Sequence, residues 1–254
     1  MVRHPFFSVL WVVFISLFSS YLWGQPVVIK GAIVRGDPAV KEIALVFTGH
    51  EYAEGGREIR EALKASGTPA SFFFTGDFYR SYPGLVKMLR KDGHYLGAHS
   101  DRHLLYCSWE KRDSLLVSQE DFQKDLKKNF REMEKRGIRK NEALFFLPPY
   151  EWYNETIAGW AHTEGLQLVN FTSGTLSNAD YTTPSMPNYR SSEIILESIR
   201  KQEREKGMNG FILLLHIGTG PERTDKFYHR LPDLLRELKA KGYRLVRIDE
   251  LLKQ

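Results

Sequence analysis

The stretch Tyr95-Leu96-Gly97-Ala98-His99-Ser100-Asp101-Arg102-His103 joins a short apolar run to two histidines that stand four residues apart. The apolar run predicts a buried strand, and the histidines follow at the point where this strand ends. Two imidazoles at this spacing can bind one metal ion if the backbone curls by about one turn. The pair alone is weak evidence, because most isolated histidines lie on the surface or in a satisfied core. The other strands of the chain decide between these interpretations.

Apolar runs alternate with amphipathic segments along the chain, which predicts an α/β fold with parallel strands joined by helices. Such strands can form an open sheet or a closed barrel, and the pattern does not distinguish between the two. Residues 173–189 are predicted to form a long polar loop. The predicted strands are 27–30, 43–47, 70–74, 95–98, 144–146, 167–171, 210–215 and 244–246, and the predicted helices are 57–65, 85–90, 119–135, 154–164, 193–206 and 231–241.

Four polar clusters directly follow predicted strands: residues 48–51, residues 99–103, residues 149–151 and His216. In parallel α/β sheets the chemistry lies at the carboxyl ends of the strands, so these clusters are expected to share one rim. Four clusters on one rim favour a metal or catalytic site over scattered surface histidines.

The composition is that of a globular protein with one large domain. The chain has 254 residues, of which 42% are hydrophobic and 26% charged, and its formal net charge is +5. Lysine and arginine alternate with acidic residues, and there is no basic run with interleaved aromatic residues, so no nucleic-acid partner is expected. Cys107 is the only cysteine, which excludes an intrachain disulfide.

The N-terminus predicts export. A basic start, an almost uncharged apolar run and a small residue at Gly24 indicate a signal peptide over residues 1–24. The alternative is a retained membrane anchor, because an apolar run of this length can just cross a bilayer. We expect a short N-terminal extension over residues 25–40, a catalytic domain over residues 41–254, and a location in the periplasm or at the surface of a bacterial cell. Contact with a membrane is expected only through residues 1–24, if they are not removed.

Three motifs resemble those of the polysaccharide deacetylase family, carbohydrate esterase family 4, whose members carry the NodB-homology domain. The family's His-Ser/Thr-x-x-His is matched by residues 99–103, its Leu-x-His by residues 214–216, and the Pro-Tyr of its Arg-x-Pro-Tyr by Pro149-Tyr150. The resemblance covers residues 42–252 and implies a distorted, partly open (β/α) barrel.

This resemblance implies a metal-dependent hydrolase that removes N- or O-acetyl groups from a polysaccharide or other glycan. It implies a divalent metal ion, expected to be zinc, bound by His99 and His103. His216 would be the general acid, and Tyr150 would line the groove and offer its backbone N–H to the oxyanion. The partner is then an acetylated glycan substrate.

The first family motif is not matched. The family has Thr-Phe-Asp-Asp-Gly where this chain has Val46-Phe47-Thr48-Gly49-His50. Thr48 therefore stands where the resemblance implies the catalytic base, and Gly49 where it implies a metal-binding carboxylate. Leu147 replaces the arginine of the third motif, and Asn170 stands where a supporting aspartate is expected. His216 is therefore expected to lose its orienting carboxylate.

Glu51 is the preferred replacement for both lost aspartates, as metal ligand and as base, while His50 and Glu151 are alternatives. Tyr150, Glu151, Trp152 and Tyr181 are expected to bind substrate. A wider set of aromatic residues could form a wall on which sugars stack: Tyr106, Trp109, Trp152, Tyr153 and Tyr181. At least half of these five are expected to be packing residues instead. If no carboxylate replaces the lost acids, the alternative function is a catalytically impaired, deacetylase-like protein that binds glycans.

Overall fold

Nine strands form one mixed sheet in residues 24–253, the part of the chain that the computed structural model describes. The strand order is β1-β2-β8-β3-β4-β5-β6-β7, and β9 pairs with the beginning of β3. The strands are β1 (Val27–Ile29), β2 (Ala32–Arg35), β3 (Glu42–Gly49), β4 (Ser71–Phe74), β5 (Tyr95–Ala98), β6 (Phe145–Phe146), β7 (Gln167–Leu168), β8 (Phe211–His216) and β9 (Arg244–Val246).

The sheet is parallel from β8 through β3, β4, β5 and β6 to β7, and antiparallel where β2 meets β1 and β8. It curls until Val169, just after β7, forms a single parallel bridge with Ile33 of β2. The Asn170 N–H also donates to the Ile33 carbonyl at 2.9 Å. The barrel is thus closed by a few bonds only, which confirms the predicted distorted, partly open (β/α) barrel.

Eight helices accompany the strands in the described residues. The longest, α4, covers the predicted range residue for residue, and its N-terminus is capped by the Ser118 hydroxyl, which accepts from the Asp121 N–H at 3.1 Å. The helices are α1 (Gly56–Ala65), α2 (Gly76–Ser81), α3 (Pro83–Lys91), α4 (Gln119–Lys135), α5 (Glu155–Thr163), α6 (Ser192–Lys206), α7 (Leu231–Ala240) and α8 (Ile248–Leu251).

The two faces of the sheet bury separate apolar clusters. Leu45 and Phe47 of β3 face the cluster that includes the long helices, whereas Val46 belongs to a cluster of strand residues and α8 inside the barrel. Because side chains alternate along a strand, Thr48 lies on the same inner face as Val46. By the same rule, His216 follows Leu214 on the inner face of β8. The fold thereby directs both side chains towards one end of the barrel interior.

Two short elements were absent from the sequence prediction. β2 has four residues and follows a tight turn at Lys30-Gly31, and α2 has six residues and begins at the Thr75 cap. Such short elements carry too few residues to show a periodic pattern. The segment predicted as an N-terminal extension therefore contributes β1 and β2 to the same sheet as the rest of the chain.

The predicted signal peptide lies outside the described residues, apart from Gly24. Within residues 24–253, no helix has both the length and the apolar character that a membrane span requires.

Gly210 fixes the position of β8, the strand that ends at His216. Its N–H donates to the Glu42 carbonyl at 2.8 Å, and its carbonyl accepts from the Gly36 N–H at 2.7 Å. The residue has φ +70°, and a Cβ atom there would lie 2.7 Å from the Asp37 carbonyl oxygen. Glycine is therefore required both by the dihedral angle and by the approach of another backbone.

We expect Gly210→Ala to lower the free energy of unfolding by more than Gly67→Ala does, as measured by urea denaturation. Gly67 has φ +59° but open space around its missing Cβ, so it is a matched control. The control should cost about 1–2 kcal/mol for the left-handed backbone, whereas Gly210→Ala adds a backbone clash. Equal losses in the two variants would show that the close approach at Gly210 is unimportant.

Candidate active site

The polar clusters meet at the carboxyl edge of the sheet, as the sequence predicted. The rings of His99 and His103 have centroids 5.0 Å apart, and the His50 ring lies 4.9 Å from that of His103. Tyr150 packs on His103 at 4.3 Å. On the neighbouring strands, Thr48 of β3 is the register partner of His216 of β8. Residues from four separate segments therefore face one site.

The turn from His99 to His103 has a strained backbone, which hydrogen bonds stabilise. Ser100 and His103 have φ +68° and +57°, values that non-glycine residues rarely adopt. The Ser100 hydroxyl accepts from the His103 N–H at 2.8 Å, which stabilises this curl. His99 Nδ1 lies 2.8 Å from the Leu147 carbonyl oxygen, which can only accept, so Nδ1 carries the proton and Nε2 is left as an acceptor.

Both histidines are neutral over the whole physiological range. Burial is the largest of the effects that lower the pKa of His99 to about 3 and that of His103 to about 2, and the neighbouring imidazoles act in the same direction. A neutral imidazole with a free ring nitrogen is the form that binds a divalent transition metal. Two donors of the kind that the resemblance implies are therefore present.

Gly49, where the family resemblance implies a metal-binding carboxylate, has no room for a side chain. A Cβ atom on Gly49 would lie 2.8 Å from Ile217 Cγ2 and 2.9 Å from ring carbons of Phe74 and Phe78. Real Cβ atoms do not come this close to other heavy atoms, so no side chain fits at this position without movement of its neighbours. The space that a side chain at residue 49 would need is thus filled by packed apolar groups.

Thr48, where the family resemblance implies the catalytic base, is only 1% exposed. Its hydroxyl oxygen has no hydrogen-bond partner among the described residues. Such a group normally finds a partner, because an unpaired buried hydroxyl costs free energy. An orphan hydroxyl on the inner face, one strand away from His216, is a place where a bound ion, water or ligand atom would be stabilised.

The fit to a metal ion is partial. Within residues 24–253, no group of three or more His, Cys, Asp or Glu side chains has the geometry to hold one. His50 is close, but its ring lies nearly parallel to that of His103, at 10° between the planes, and its Nδ1 is 3.2 Å from the Thr75 hydroxyl. The described residues supply two imidazoles and the orphan Thr48 hydroxyl, without a third strong protein ligand.

The structure does not bring Glu51 to the histidines. Glu51 is exposed, and only its backbone carbonyl is engaged, as the acceptor of the Tyr82 hydroxyl at 2.6 Å. Its carboxylate forms no hydrogen bond or ion pair with the rest of residues 24–253. The role of Glu51 as metal ligand and base remains a prediction that this geometry does not support. Glu51 lies at the start of an exposed loop, so chain spacing alone could not show where its carboxylate points.

His216 has an orienting carboxylate, contrary to the sequence prediction. Its Nδ1–H donates to Asp180 Oδ1 at 2.6 Å, and its backbone N–H donates to Asp180 Oδ2 at 2.9 Å. Asp180 is 2% exposed and lies in the long polar loop, ten residues after Asn170. Asp180 is the only acidic residue of that loop, which could have marked it as a candidate partner of His216. Its spacing from Asn170 gave no reason to choose it.

A buried arginine anchors the loop that carries Asp180. The Arg223 side chain is 0% exposed, and it donates to the carbonyl oxygens of Thr182, Arg190 and Asp225. A buried guanidinium is costly unless its donors are satisfied, and here most of its partners are backbone carbonyls of the loops it joins. Arg223 thus fixes the loop on which Asp180 stands.

The pKa values of two groups on this side of the site, His216 and Glu151, are raised above their usual values. Burial alone would lower the pKa of His216, but the Asp180 carboxylate, together with Glu151, outweighs burial and raises the pKa above the usual value. Burial raises the pKa of Glu151 to about 7. Glu151 has φ +54°, and its carbonyl accepts from the Asn170 side-chain amide at 2.8 Å. Paired groups of this kind are typical of acid–base sites.

Two of the predicted substrate-binding aromatic residues are exposed beside the histidines. Tyr150 is 44% exposed next to His103, and Tyr181 is 41% exposed with its ring 5.1 Å from that of His216. Trp152 is half-buried and donates its indole N–H to the Ser108 carbonyl. Two other members of the expected aromatic wall are buried packing residues: Tyr106 and Tyr153.

Together, the curled sheet and the histidines at its carboxyl edge define a hydrolase of the NodB-homology type within carbohydrate esterase family 4. More specifically, the chain belongs to the polysaccharide deacetylase family, since the family model described as polysaccharide deacetylase matches residues 35–169.

Known relatives agree with this assignment. The chain is 30% identical over 213 residues to a peptidoglycan-N-acetylglucosamine deacetylase of Bacillus cereus, covering 84% of this chain and 89% of that protein. It is 25% identical over 222 residues to the peptidoglycan-N-acetylmuramic acid deacetylase PdaA of Bacillus subtilis, covering 87% of this chain and 75% of that protein. Its fold is similar to the crystal structure of a family 4 pseudoenzyme from Bacillus anthracis, with a TM-score of 0.70 at 20% identity, covering 89% of this chain and 70% of that one.

We expect Asp180→Asn to lower the pKa of the His216 imidazole, because the carboxylate that favours the protonated ring is removed while burial remains. The pKa is measured by NMR titration of the histidine ring signals. Glu58→Gln is the matched control, because Glu58 pairs with the exposed His229 at 2.7 Å and is separate from the site. A His216 pKa that is equal in wild type and Asp180→Asn would contradict the assignment of this pair.

Proposed function

We propose that this protein is a metal-dependent deacetylase that removes acetyl groups from a cell-wall polysaccharide, acting on C–N or C–O acyl bonds. The observation that carries this proposal is the hydrogen-bonded His216–Asp180 pair beside two neutral imidazoles, His99 and His103. The relatives named for deacetylation of peptidoglycan support this substrate class. Export through residues 1–24, to the periplasm or the cell surface, is part of the same proposal, since it would bring the enzyme to such a glycan.

His216 acts as the general acid in this proposal. Asp180 holds Nδ1–H, which directs Nε2 away from the carboxylate, and it raises the pKa so that a larger share of the ring is protonated near neutral pH. The Nε2 proton can then pass to the departing amine or alcohol of the sugar. Asp180 orients the ring and stabilises its positive charge without touching the substrate.

His99 and His103 are the residues that would hold the metal ion, for which zinc is the expected identity. A divalent metal supplies Lewis-acid polarisation of the acyl oxygen and a more acidic water. The orphan Thr48 hydroxyl supports a polar occupant at this place. With only two imidazoles from the described residues, we expect a weaker site than one with three protein ligands.

The absence of a carboxylate base at Thr48 lowers the rate of deacetylation that we expect. Thr48 cannot accept a proton as a carboxylate does, and a positioned base typically contributes about 10²–10⁴-fold. Glu151 is the acid whose environment best suits a replacement, because a carboxyl with a pKa of about 7 is partly ionised at neutral pH. A slow deacetylase follows from this arrangement.

A second candidate function is supported by the closed position at Gly49. Packed Phe74, Phe78 and Ile217 leave no space for the second carboxylate. If the metal is absent, the protein would bind an acetylated glycan without cleaving it.

We expect the purified mature chain to carry a divalent metal ion, measured by elemental analysis after gel filtration. The double variant His99→Ala/His103→Ala should lose the metal and keep its circular dichroism spectrum. The control is His162→Ala/His229→Ala, which removes two exposed histidines outside the site. Equal metal content in wild type and the His99/His103 variant would refute metal binding there and favour the second candidate.

We expect slow acetate release from acetylated peptidoglycan fragments, and His216→Ala should lower it by about 10²-fold or more. The metal content should not change, because His216 is assigned to proton transfer. His229→Ala, which removes an exposed histidine, should have no effect. No acetate release by the metal-loaded wild type would rule out the enzymatic proposal, and an unchanged rate in His216→Ala would rule out its role as acid.

A further inference from the structure

A hairpin between His103 and α4 adds a surface beside the site. Cys107 and Leu115 form an antiparallel bridge, the Ser108 N–H donates to the Ser114 carbonyl at 2.9 Å, and the Leu116 N–H donates to the Tyr106 carbonyl at 2.9 Å. We name residues 106–116 the rim hairpin. Trp109 stands near its tip.

The rim hairpin is fixed against residues 152–154. The Trp152 indole N–H donates to the Ser108 carbonyl, and the Asn154 side chain donates to the Arg112 carbonyl at 3.0 Å. The Arg112 guanidinium donates to the Tyr153 carbonyl at 2.6 Å and lies 4.0 Å from the centre of the Trp152 ring. Both the tip and the base of the hairpin are therefore held in place.

This rigid support leaves a large aromatic side chain in solvent. Trp109 is 56% exposed, although its ring touches Trp152 at 5.2 Å and meets Tyr150 edge to face at 5.7 Å and 81°. Within residues 24–253, neither the Trp109 indole N–H nor the Tyr150 hydroxyl forms a hydrogen bond. Exposed aromatic faces with free polar groups at their edges suit a ligand that is both apolar and hydroxylated.

The backbone at Tyr150 supports a binding role for this surface. Tyr150 has φ +59°, a strained value for a tyrosine, and the following residue, Glu151, is also left-handed. Such strain costs free energy and is typically retained where geometry matters for function. It directs the Tyr150 ring between His103, at 4.3 Å, and Trp109, at 5.7 Å, so the aromatic surface is continuous with the site.

We propose that Trp109 and Tyr150 form a sugar-stacking subsite for the pyranose unit next to the one that carries the acetyl group. This inference rests on the proposed function for the class of ligand, a glycan chain. A pyranose ring offers an apolar C–H face to the aromatic rings, and its hydroxyl groups can pair with the free indole N–H and phenol. The subsite makes the protein select an oligosaccharide over a single sugar.

The experiment measures binding of two probes to the full mature chain by isothermal titration calorimetry. The probes are the β-1,4-linked tetrasaccharide of N-acetylglucosamine and the single sugar N-acetylglucosamine. Trp109→Ala should weaken tetrasaccharide binding by about tenfold and leave binding of the single sugar unchanged. Trp109→Phe should restore most of the affinity, because a smaller aromatic face is retained.

Leu116→Ala is the matched control, because Leu116 is 55% exposed on the same hairpin and lies outside the aromatic surface. It should bind both probes as wild type does. The subsite is refuted if wild type does not bind the tetrasaccharide, if Trp109→Ala binds it unchanged, or if Trp109→Ala weakens both probes equally. Binding that depends on Trp109 without any acetate release would keep the subsite and reject the catalytic part of the proposed function.

Discussion

The parallel pairing of β3 with β8 is the constraint on which the site depends. All eight residues of β3 are buried, and the strand pairs with β8, β4 and β9. This register sets Thr48 beside His216, because six consecutive residue pairs join the two strands. A slip by one residue would turn either side chain to the opposite face of the sheet. Gly210 and the carbonyl of Glu42 fix that register at the beginning of β8.

The second constraint is electrostatic, because side chains at the inner end of the barrel are buried: Thr48 and His99 are each 1% exposed, and a buried charge is costly unless it is paired. The family resemblance implies two first-motif aspartates, a third-motif arginine at Leu147 and a supporting aspartate at Asn170, and all four are absent. The joint loss of that arginine and its supporting aspartate is consistent, because removal of one member of a buried ion pair leaves an uncompensated charge. What remains near the strand ends is a set of neutral imidazoles, a hydroxyl and a glycine whose side-chain space is filled by Phe74 and Phe78.

The opposite wall of the site contains charged groups, Asp180 and Arg223. It is built by loops that hydrogen bonds connect. The Asp180 carboxylate accepts hydrogen bonds from the backbone N–H and the ring Nδ1–H of His216. The Arg223 guanidinium donates to backbone carbonyls of the loop that carries Asp180 and so fixes this loop. One half of the site thus keeps an imidazole paired with a carboxylate, while the other half lacks the acids that the family resemblance implies. This asymmetry is the physical reason that a slow enzyme and a glycan-binding protein are the two functions to separate.

The sequence by itself determined the alternation of strands and helices, the rim at the carboxyl ends and the family, because period and motif are local properties of the chain. It also determined helix α4, whose cap and apolar face lie within one segment. Only the tertiary structure decided that Asp180 meets His216, that Glu51 faces solvent and that Gly49 is enclosed by packed side chains. These outcomes depend on how the loops return to the rim and on contacts between residues far apart in the chain, for which the spacing of residues carries no information.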